Sequence, residues 1–75
     1  MQRYINNKGN SGIKGYEIGE DYIIVQFASS SRLYRYSYNI AGRKHVENMK
    51  ILARKGEGLN TYINKNVHDK YEVLQ

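Results

Sequence analysis

Hydrophobic and polar residues alternate through the first half of the chain, as they do in β-strands that bury one face. The alternation predicts three strands, at residues 12–18, 22–28 and 32–38. β-branched and aromatic side chains dominate the second strand. Its residues Ile23, Val25 and Phe27 share the more apolar face, which we therefore expect to face the core. The short connections between the strands predict an antiparallel meander.

The first strand breaks the alternation at one point. Ile13 and Tyr16 have opposite parity, although both side chains suit a core. A β-bulge at Gly15, between them, would bring the two side chains to the same face. The sequence Gly19-Glu20-Asp21 then predicts a tight hairpin turn into the second strand.

The third strand contains the most regular pattern, Tyr34-Arg35-Tyr36-Ser37-Tyr38. The three tyrosines share one face of this strand. Since helices must cover one face of the sheet, we predict that the tyrosines lie in the core with their hydroxyls at its rim, rather than serving as stacking platforms for bases. Arg35 then lies on the open face of the sheet, with Lys14, Tyr22 and Gln26.

After Asn39, a suitable N-cap, the period of the pattern changes from 2 to 3.6. This change predicts helices at residues 40–55 and 59–66. The apolar stripe of the first helix consists of Val46, Met49, Leu52 and Ala53. Gly56 suits the position just after the last turn of this helix. Leu59, Tyr62 and Ile63 form the apolar face of the second helix.

Both chain ends are predicted to be loose. Residues 1–10 contain one apolar pair, Tyr4 and Ile5, which fits either a short edge strand or a segment that lies over the core. Val67 is predicted to anchor the chain after the second helix, and residues 72–75 to extend beyond the core as a frayed tail.

The predicted fold class is therefore α+β, with a three-stranded antiparallel β-meander followed by two helices on one face of the sheet (β-β-β-α-α). The two layers form a single domain over residues 1–75, with a core at residues 11–71. A chain of this length buries only about 60% of the surface that its unfolded form exposes, so the bulky tyrosines are important packing material.

The composition excludes several kinds of chemistry. The chain has no cysteine, which excludes disulfides, thiolate metal sites and cysteine nucleophiles, and we predict no cofactor and no metal. No apolar run approaches the roughly 20 residues of a membrane span, and Met1 to Asn7 include no apolar signal segment. We therefore expect a cytoplasmic protein without a membrane partner, and a monomer rather than an oligomer.

The net charge of +5 favours an anionic partner, with nucleic acid first among the candidates. The predicted phosphate-binding residues are Arg32, Arg35, Arg43, Lys44, Lys50, Arg54 and Lys55. Arg43, Lys50 and Arg54 share one flank of the first helix and are placed to follow a phosphate backbone. The alternative is an ordinary solvated helix face, moderated by Glu47.

Short motifs along the chain occur in a specific order: Ser11-Gly12-Ile13, Tyr16-Glu17, Val25-Gln26-Phe27 and Tyr34-Arg35-Tyr36, then a helix, a glycine break and a final Tyr71. In this order they resemble the KTSC domain family, whose mark is a central Tyr-x-Tyr. The family includes small bacterial proteins and a module at the C-terminus of some lysyl-tRNA synthetases, and this association implies RNA binding.

The resemblance assigns family positions, expected to be structural, to Ser11, Tyr34, Tyr36, Gly58, Asn64 and Tyr71. Asn60 is an alternative to Asn64, because the glycine break here is Lys55-Gly56-Glu57-Gly58 instead of the family's Ser-Lys-Gly. Ile40-Ala41 replaces the usual Val-Pro at the helix entry.

A non-catalytic RNA- or DNA-binding module is the leading functional hypothesis. A protein–protein interaction module is the alternative, based on Ile51 among the basic residues and Ile24 on the open sheet face. A small metal-free ribonuclease is the third. The sequence His45-Val46-Glu47 is not a zinc deaminase site, because the cysteines are absent and helical positions i and i+2 do not face each other.

Overall fold

In the computed structural model, which describes residues 1–5 and 12–74, five strands form one antiparallel sheet in the order in which they occur in the chain. The strands are β1 (Gln2–Arg3), β2 (Ile13–Ile18), β3 (Tyr22–Phe27), β4 (Leu33–Ser37) and β5 (Glu72–Val73). Between β4 and β5 lie the helices α1 (Tyr38–Ala41), α2 (Arg43–Lys55) and α3 (Leu59–Tyr62), and a π-helical segment (Ile63–Val67). The α+β class is confirmed.

The bulge predicted in the first strand is confirmed. Ile13 pairs with Phe27, but Gly15 pairs with Gln26, so the register shifts between Ile13 and Gly15. The extra residue, Lys14, lets Ile13 lie on the same side as Tyr16, which pairs with Val25. The predicted hairpin turn follows, with the Gly19 amide donating to the Tyr22 carbonyl at 3.0 Å.

The core lies between the helices and the sheet face that the alternation predicted. Ile23, Val25 and Tyr36 are at most 1% exposed. They belong to one cluster with residues from α2, α3 and the π-helical segment, namely Val46, Met49, Ala53, Leu59, Ile63 and Val67. Tyr36 is therefore a core residue, as predicted, and Val67 anchors the chain, as predicted. Phe27 and Tyr34 pack against the cluster from its rim.

The predicted helix at residues 40–55 is two helices. The first begins earlier, at Tyr38, and ends at Ala41; Gly42 then adopts φ 97° and ψ 140° before α2 begins. Tyr38 therefore belongs to α1 and not to the third strand, where the alternation of tyrosines had placed it. The sequence did not reveal this break, because the pattern of apolar residues continues across Gly42. The backbone nevertheless changes direction at this glycine.

Gly42→Ala is expected to destabilise the protein by about 1–3 kcal/mol, because L-residues rarely occupy this backbone conformation. A Cβ atom at Gly42 would have room, because it would come no closer than 4.0 Å to His45 Cδ2, so the cost is conformational. Urea unfolding measures it.

Gly58→Asn is the control for the Gly42 prediction. Gly58 has φ 82° and ψ −4°, a left-handed conformation that asparagine tolerates, and its Cβ would make an ordinary contact with Leu52 at 3.7 Å. Gly42→Asn should cost more than Gly58→Asn. Equal losses at the two positions would contradict this explanation.

Both chain ends contribute to the sheet. At the first end this is the short edge strand that the sequence left open as one of two alternatives, whereas the frayed tail predicted from residue 72 onward is wrong for Glu72 and Val73. Gln2 and Arg3 pair with β2, and Tyr4 is 3% exposed, with its hydroxyl accepting a hydrogen bond from the Leu59 amide at 3.4 Å. At the other end, Glu72 pairs with Arg35 and Val73 with Tyr34. The three-stranded meander is therefore extended by one short strand on each edge.

The short edge strands have a physical explanation. A two-residue strand has no periodicity to detect, and its position depends on long-range pairing. The segment predicted as a helix at residues 59–66 is likewise divided, into α3 and the π-helical segment. Ser11 lies outside the described residues.

Candidate nucleic-acid interface

The outer side of α2 is cationic. Its apolar residues Val46, Met49 and Ala53 are buried against the sheet, so the opposite side of the helix is left to solvent. Arg43, Lys44, Arg54 and Lys55 are all exposed, and we call this set the cationic face. Two of its members lie at each end of the helix. At a rise of 1.5 Å per residue, the eleven steps from Lys44 to Lys55 correspond to about 16.5 Å along the axis.

The one acidic residue of α2, Glu47, is already engaged. Its Oε2 accepts hydrogen bonds from Lys50 Nζ at 2.9 Å and from the Tyr38 hydroxyl. The hydrogen bond from Lys50, and next to it the one from Tyr38, lower the pKa of Glu47. The carboxylate therefore stays ionised and is balanced by Lys50. No other carboxylate lies on α2, and the charge of Arg43, whose guanidinium lies 5.8 Å from the centre of the Tyr38 ring, also lowers the pKa of Glu47.

Lys50 does not belong to the phosphate-binding set in which the sequence placed it. It is only 5% exposed, and its Nζ donates to the Glu20 carbonyl at 3.0 Å as well as to Glu47. Its ammonium thus connects α2 to the turn between β2 and β3. At 3.6 residues per turn, Lys50 lies about 20° from Arg43 and about 40° from Arg54 around the helix, on the side nearer the core, and this is enough to bury its side chain.

Arg35 lies on the open face of the sheet, as predicted, but its charge is paired. Its Nε and NH2 atoms donate to Glu72 Oε1 at 2.9 and 2.8 Å, and its guanidinium lies 5.9 Å from the centre of the Tyr22 ring. Glu72 comes from β5, the strand that the sequence pattern missed. Arg35 is therefore a weaker candidate for phosphate binding than the cationic face.

Three further predicted positions are Arg32, Ile24 and Ile51. Arg32 is exposed in the loop before β4, where its amide donates to Ser30 Oγ at 3.1 Å. Ile24 is on the open face of the sheet but is only 8% exposed, since it pairs with Glu17 on one side and Arg35 on the other. It does not provide the apolar contact surface that the protein–protein hypothesis expected. Ile51, by contrast, is 58% exposed.

Four of the positions assigned by the family resemblance meet in one place. Tyr34, Tyr36, Asn64 and Tyr71 line a cleft of about 280 Å³ between the end of the sheet and the π-helical segment. We call it the tyrosine cleft. The sequence interpretation had these residues as structural positions, and no periodic signal indicated that they converge.

The rings in the tyrosine cleft pack edge to face. The Tyr34 and Tyr71 centroids are 4.8 Å apart with an interplanar angle of 80°, and those of Tyr36 and Tyr71 are 5.8 Å apart. Burial raises the pKa of Tyr36 well above its ordinary value, and the neighbouring Tyr71 and Tyr34 raise it further. The Tyr36 hydroxyl therefore stays protonated.

The two histidines have different surroundings. His45 Nδ1 lies within hydrogen-bonding distance of the Tyr62 hydroxyl, at 2.7 Å, and Asn48 Nδ2 donates a hydrogen bond to the same hydroxyl at 3.1 Å. His45 thus holds α2 against α3 at the edge of the core. His68 is exposed and lines the tyrosine cleft. Within residues 1–5 and 12–74, no three His, Asp or Glu side chains are grouped so that they could hold a metal ion.

Gly58, another family position, is structural in the described part of the chain. It precedes α3 with φ 82°, and its carbonyl accepts a hydrogen bond from the Tyr62 amide at 3.0 Å.

None of the described helices has the length and apolar character required to cross a membrane. Comparison with known proteins found no matching family model, no matching curated protein and no matching solved structure.

Proposed function

We propose that this protein is a non-catalytic nucleic-acid-binding module that contacts the phosphate backbone through the cationic face. The observation that carries the proposal is the exposure of Arg43, Lys44, Arg54 and Lys55 on one helix whose only carboxylate is engaged by Lys50 and Tyr38. Lysine and arginine side chains arranged in this way displace condensed counterions from phosphates, which drives binding without reading sequence.

Two further points support the proposal. The whole chain has a net charge of +5. The resemblance to the KTSC domain family associates the chain with tRNA-charging enzymes. We expect RNA and DNA both to bind, because a cationic helix surface recognises charge and spacing rather than the sugar.

The test is a titration of labelled tRNA, single-stranded RNA and single-stranded DNA by fluorescence anisotropy at several salt concentrations. For single strands, each phosphate contact contributes about 0.7 to the slope of log K against log salt. The variant Lys44→Gln/Arg54→Gln is therefore expected to bind more weakly and to lower the slope by about 1.4.

The charge-matched control is Arg3→Gln/Lys14→Gln, which removes the same charge from exposed positions near β1 and the β2 bulge. It should leave the slope nearly unchanged. Equal losses in both variants would mean that overall charge, and not the cationic face, determines binding. If the wild type binds none of the three nucleic acids below about 100 μM at low salt, where non-specific binders show affinity, the proposal is wrong.

A protein partner is the second candidate, favoured by the 58% exposure of Ile51 within the cationic face. An acidic protein partner that buries Ile51 would bind the Ile51→Ser variant more weakly than the wild type, whereas phosphate binding would not change. A ribonuclease is less well supported, because His45 is occupied by Tyr62 in a contact between helices. RNA that stays intact during the titrations would exclude it.

A further inference from the structure

The residues described around the tyrosine cleft include no acidic residue, lysine or arginine. The described lining consists of aromatic, aliphatic, hydroxyl, amide and imidazole groups. A phosphate or carboxylate ligand would need cations in the wall, and a cationic ligand would need carboxylates. The occupant that suits this lining is therefore an uncharged group.

The shape and chemistry of the cleft walls further restrict the kind of uncharged group that can bind there. Tyr34 and Tyr71 are half-buried, so their rings offer aromatic surface to a planar group. Asn64, His68 and Ser29 are exposed at the opening and can donate and accept hydrogen bonds. A volume of about 280 Å³ lies just below the range of drug-sized pockets, which suits one ring system and not a stack of two.

Tyr36 is the most buried residue of the described cleft lining. Tyr36 is 1% exposed and lines the cleft, and its hydroxyl makes no hydrogen bond to any residue that the structure describes. Buried hydroxyls almost always have a partner, so this group is available to a ligand that enters the cleft. The π-helical segment forms part of the cleft lining, and such segments are frequent at functional sites.

We propose that the tyrosine cleft receives one unpaired nucleobase of a bound single strand, an inference that rests on the proposed function. A nucleobase is planar and uncharged and has several donors and acceptors along its edge, so it matches the ring walls and the polar opening together. An aromatic side chain of a protein partner offers at most one polar group and would leave most of the opening unpaired.

Two cations lie next to the cleft in the chain and fit this arrangement. Arg32 is linked to Ser30 through its amide, and Ser30 lines the cleft. Lys65 follows Asn64 and is exposed. These side chains would contact the phosphates on either side of the inserted base. Single-strand-binding proteins generally combine base stacking on aromatic residues with cationic contacts to the backbone in this way.

The first experiment uses nucleosides, which have no phosphate. Adenosine and cytidine are titrated into the ¹⁵N-labelled full chain, and amide chemical shifts are followed. The expected shifts are confined to the lining of the tyrosine cleft, including Ser29, Asn64 and His68, and they should persist in Lys44→Gln/Arg54→Gln. No shifts up to the solubility limit, or shifts located on α2 instead, would overturn the inference.

The matched variants are Asn64→Ala and Asn66→Ala. Both residues are exposed asparagines of the π-helical segment, but Asn66 donates to the Tyr62 carbonyl and does not line the cleft. Asn64→Ala should weaken nucleoside binding, and Asn66→Ala should not. Equal weakening would count against the cleft as the site.

The second experiment separates this inference from the proposed function. A single-stranded DNA hexamer is compared with a hexamer of the same length in which every nucleotide is abasic. Stacking of one base predicts that the intact strand binds about 5- to 150-fold more tightly, and that Asn64→Ala reduces this ratio.

If both hexamers bind equally and both depend on Lys44 and Arg54, the phosphate-binding function stands and the cleft inference fails. If neither hexamer binds while nucleosides still shift the cleft residues, the proposed function fails and the cleft remains a nucleobase site.

Discussion

Tyr36→Ala is expected to unfold most of the protein under conditions in which the wild type is folded. Tyr36 is 1% exposed and belongs to the cluster that joins β3 to the helices. Replacing a large buried aromatic residue with alanine costs about 3–5 kcal/mol. A domain of this size has a total stability of roughly 4–11 kcal/mol, so one substitution removes a large part of it.

Tyr36→Phe is the control for this loss. It keeps the ring, and with it the edge-to-face contact with Tyr71, whose centroid is 5.8 Å away. It removes only the hydroxyl, which makes no hydrogen bond to any described residue. The change in the free energy of unfolding should therefore be less than about 1 kcal/mol.

Urea unfolding followed by circular dichroism measures both variants. If Tyr36→Ala stayed as stable as the wild type, Tyr36 would not be a core residue and the face assignment of β4 would be wrong. The phenylalanine variant has a further use. A folded Tyr36→Phe protein with weaker nucleoside binding would show that the hydroxyl contacts the ligand.

The parts of the fold that the sequence predicted are those with a repeating pattern. Ile23, Val25 and Tyr36 lie on the buried face because strand side chains alternate, although Ile24 on the open face of β3 is also only 8% exposed. The bulge at Gly15 was also predictable, because two core residues of opposite parity need one extra residue between them.

The parts that could not be predicted depend on contacts between distant residues. Glu72 pairs in the sheet with Arg35, which precedes Glu72 by 37 residues in the chain. Nothing in the local sequence marks Glu72 as a strand residue. Lys50 looked like a surface cation because lysine is seldom buried, yet the Glu20 carbonyl and Glu47 provide partners for its ammonium. The tyrosine cleft was hidden for the same reason, since its walls come from four separate segments.

Lys50→Ala is expected to cost about 2 kcal/mol or more, whereas Lys50→Met should change stability by less than about 1 kcal/mol. The difference follows from what surrounds the side chain. Its apolar stem is buried, so alanine leaves a cavity, while methionine fills nearly the same space.

The hydrogen-bond partners of Lys50 also tolerate methionine. Glu20 as a residue is exposed, and the side chain of Glu47 is 46% exposed, so we expect water to replace the ammonium at both. Neither group is left buried without a partner, which is the usual reason for a large loss. Urea unfolding at pH 7 gives the two values, and a loss on Lys50→Met as large as on Lys50→Ala would show that the ion pair, and not packing, is what stabilises this position.

The small advantage of the wild type over Lys50→Met should depend on pH in a definite direction. Lys50 lowers the pKa of Glu47 in the folded protein. A group with a lowered folded-state pKa contributes stability that is present above its unfolded-state pKa and is lost as pH falls through the folded-state value. The advantage should therefore be present at pH 7 and should shrink as pH falls below the ordinary range of a glutamate pKa, whereas an advantage that grew on acidification would contradict this role of Glu47.

The same variant separates stability from binding. Because the ammonium of Lys50 is buried and engaged, Lys50→Met should leave the salt dependence of nucleic-acid binding unchanged, whereas Lys44→Met should lower its slope by about 0.7. The two substitutions remove the same charge from the same helix and differ in exposure. If Lys50→Met lowered the slope as much as Lys44→Met, the total charge of α2 would determine affinity, and the cationic face would not be the binding surface.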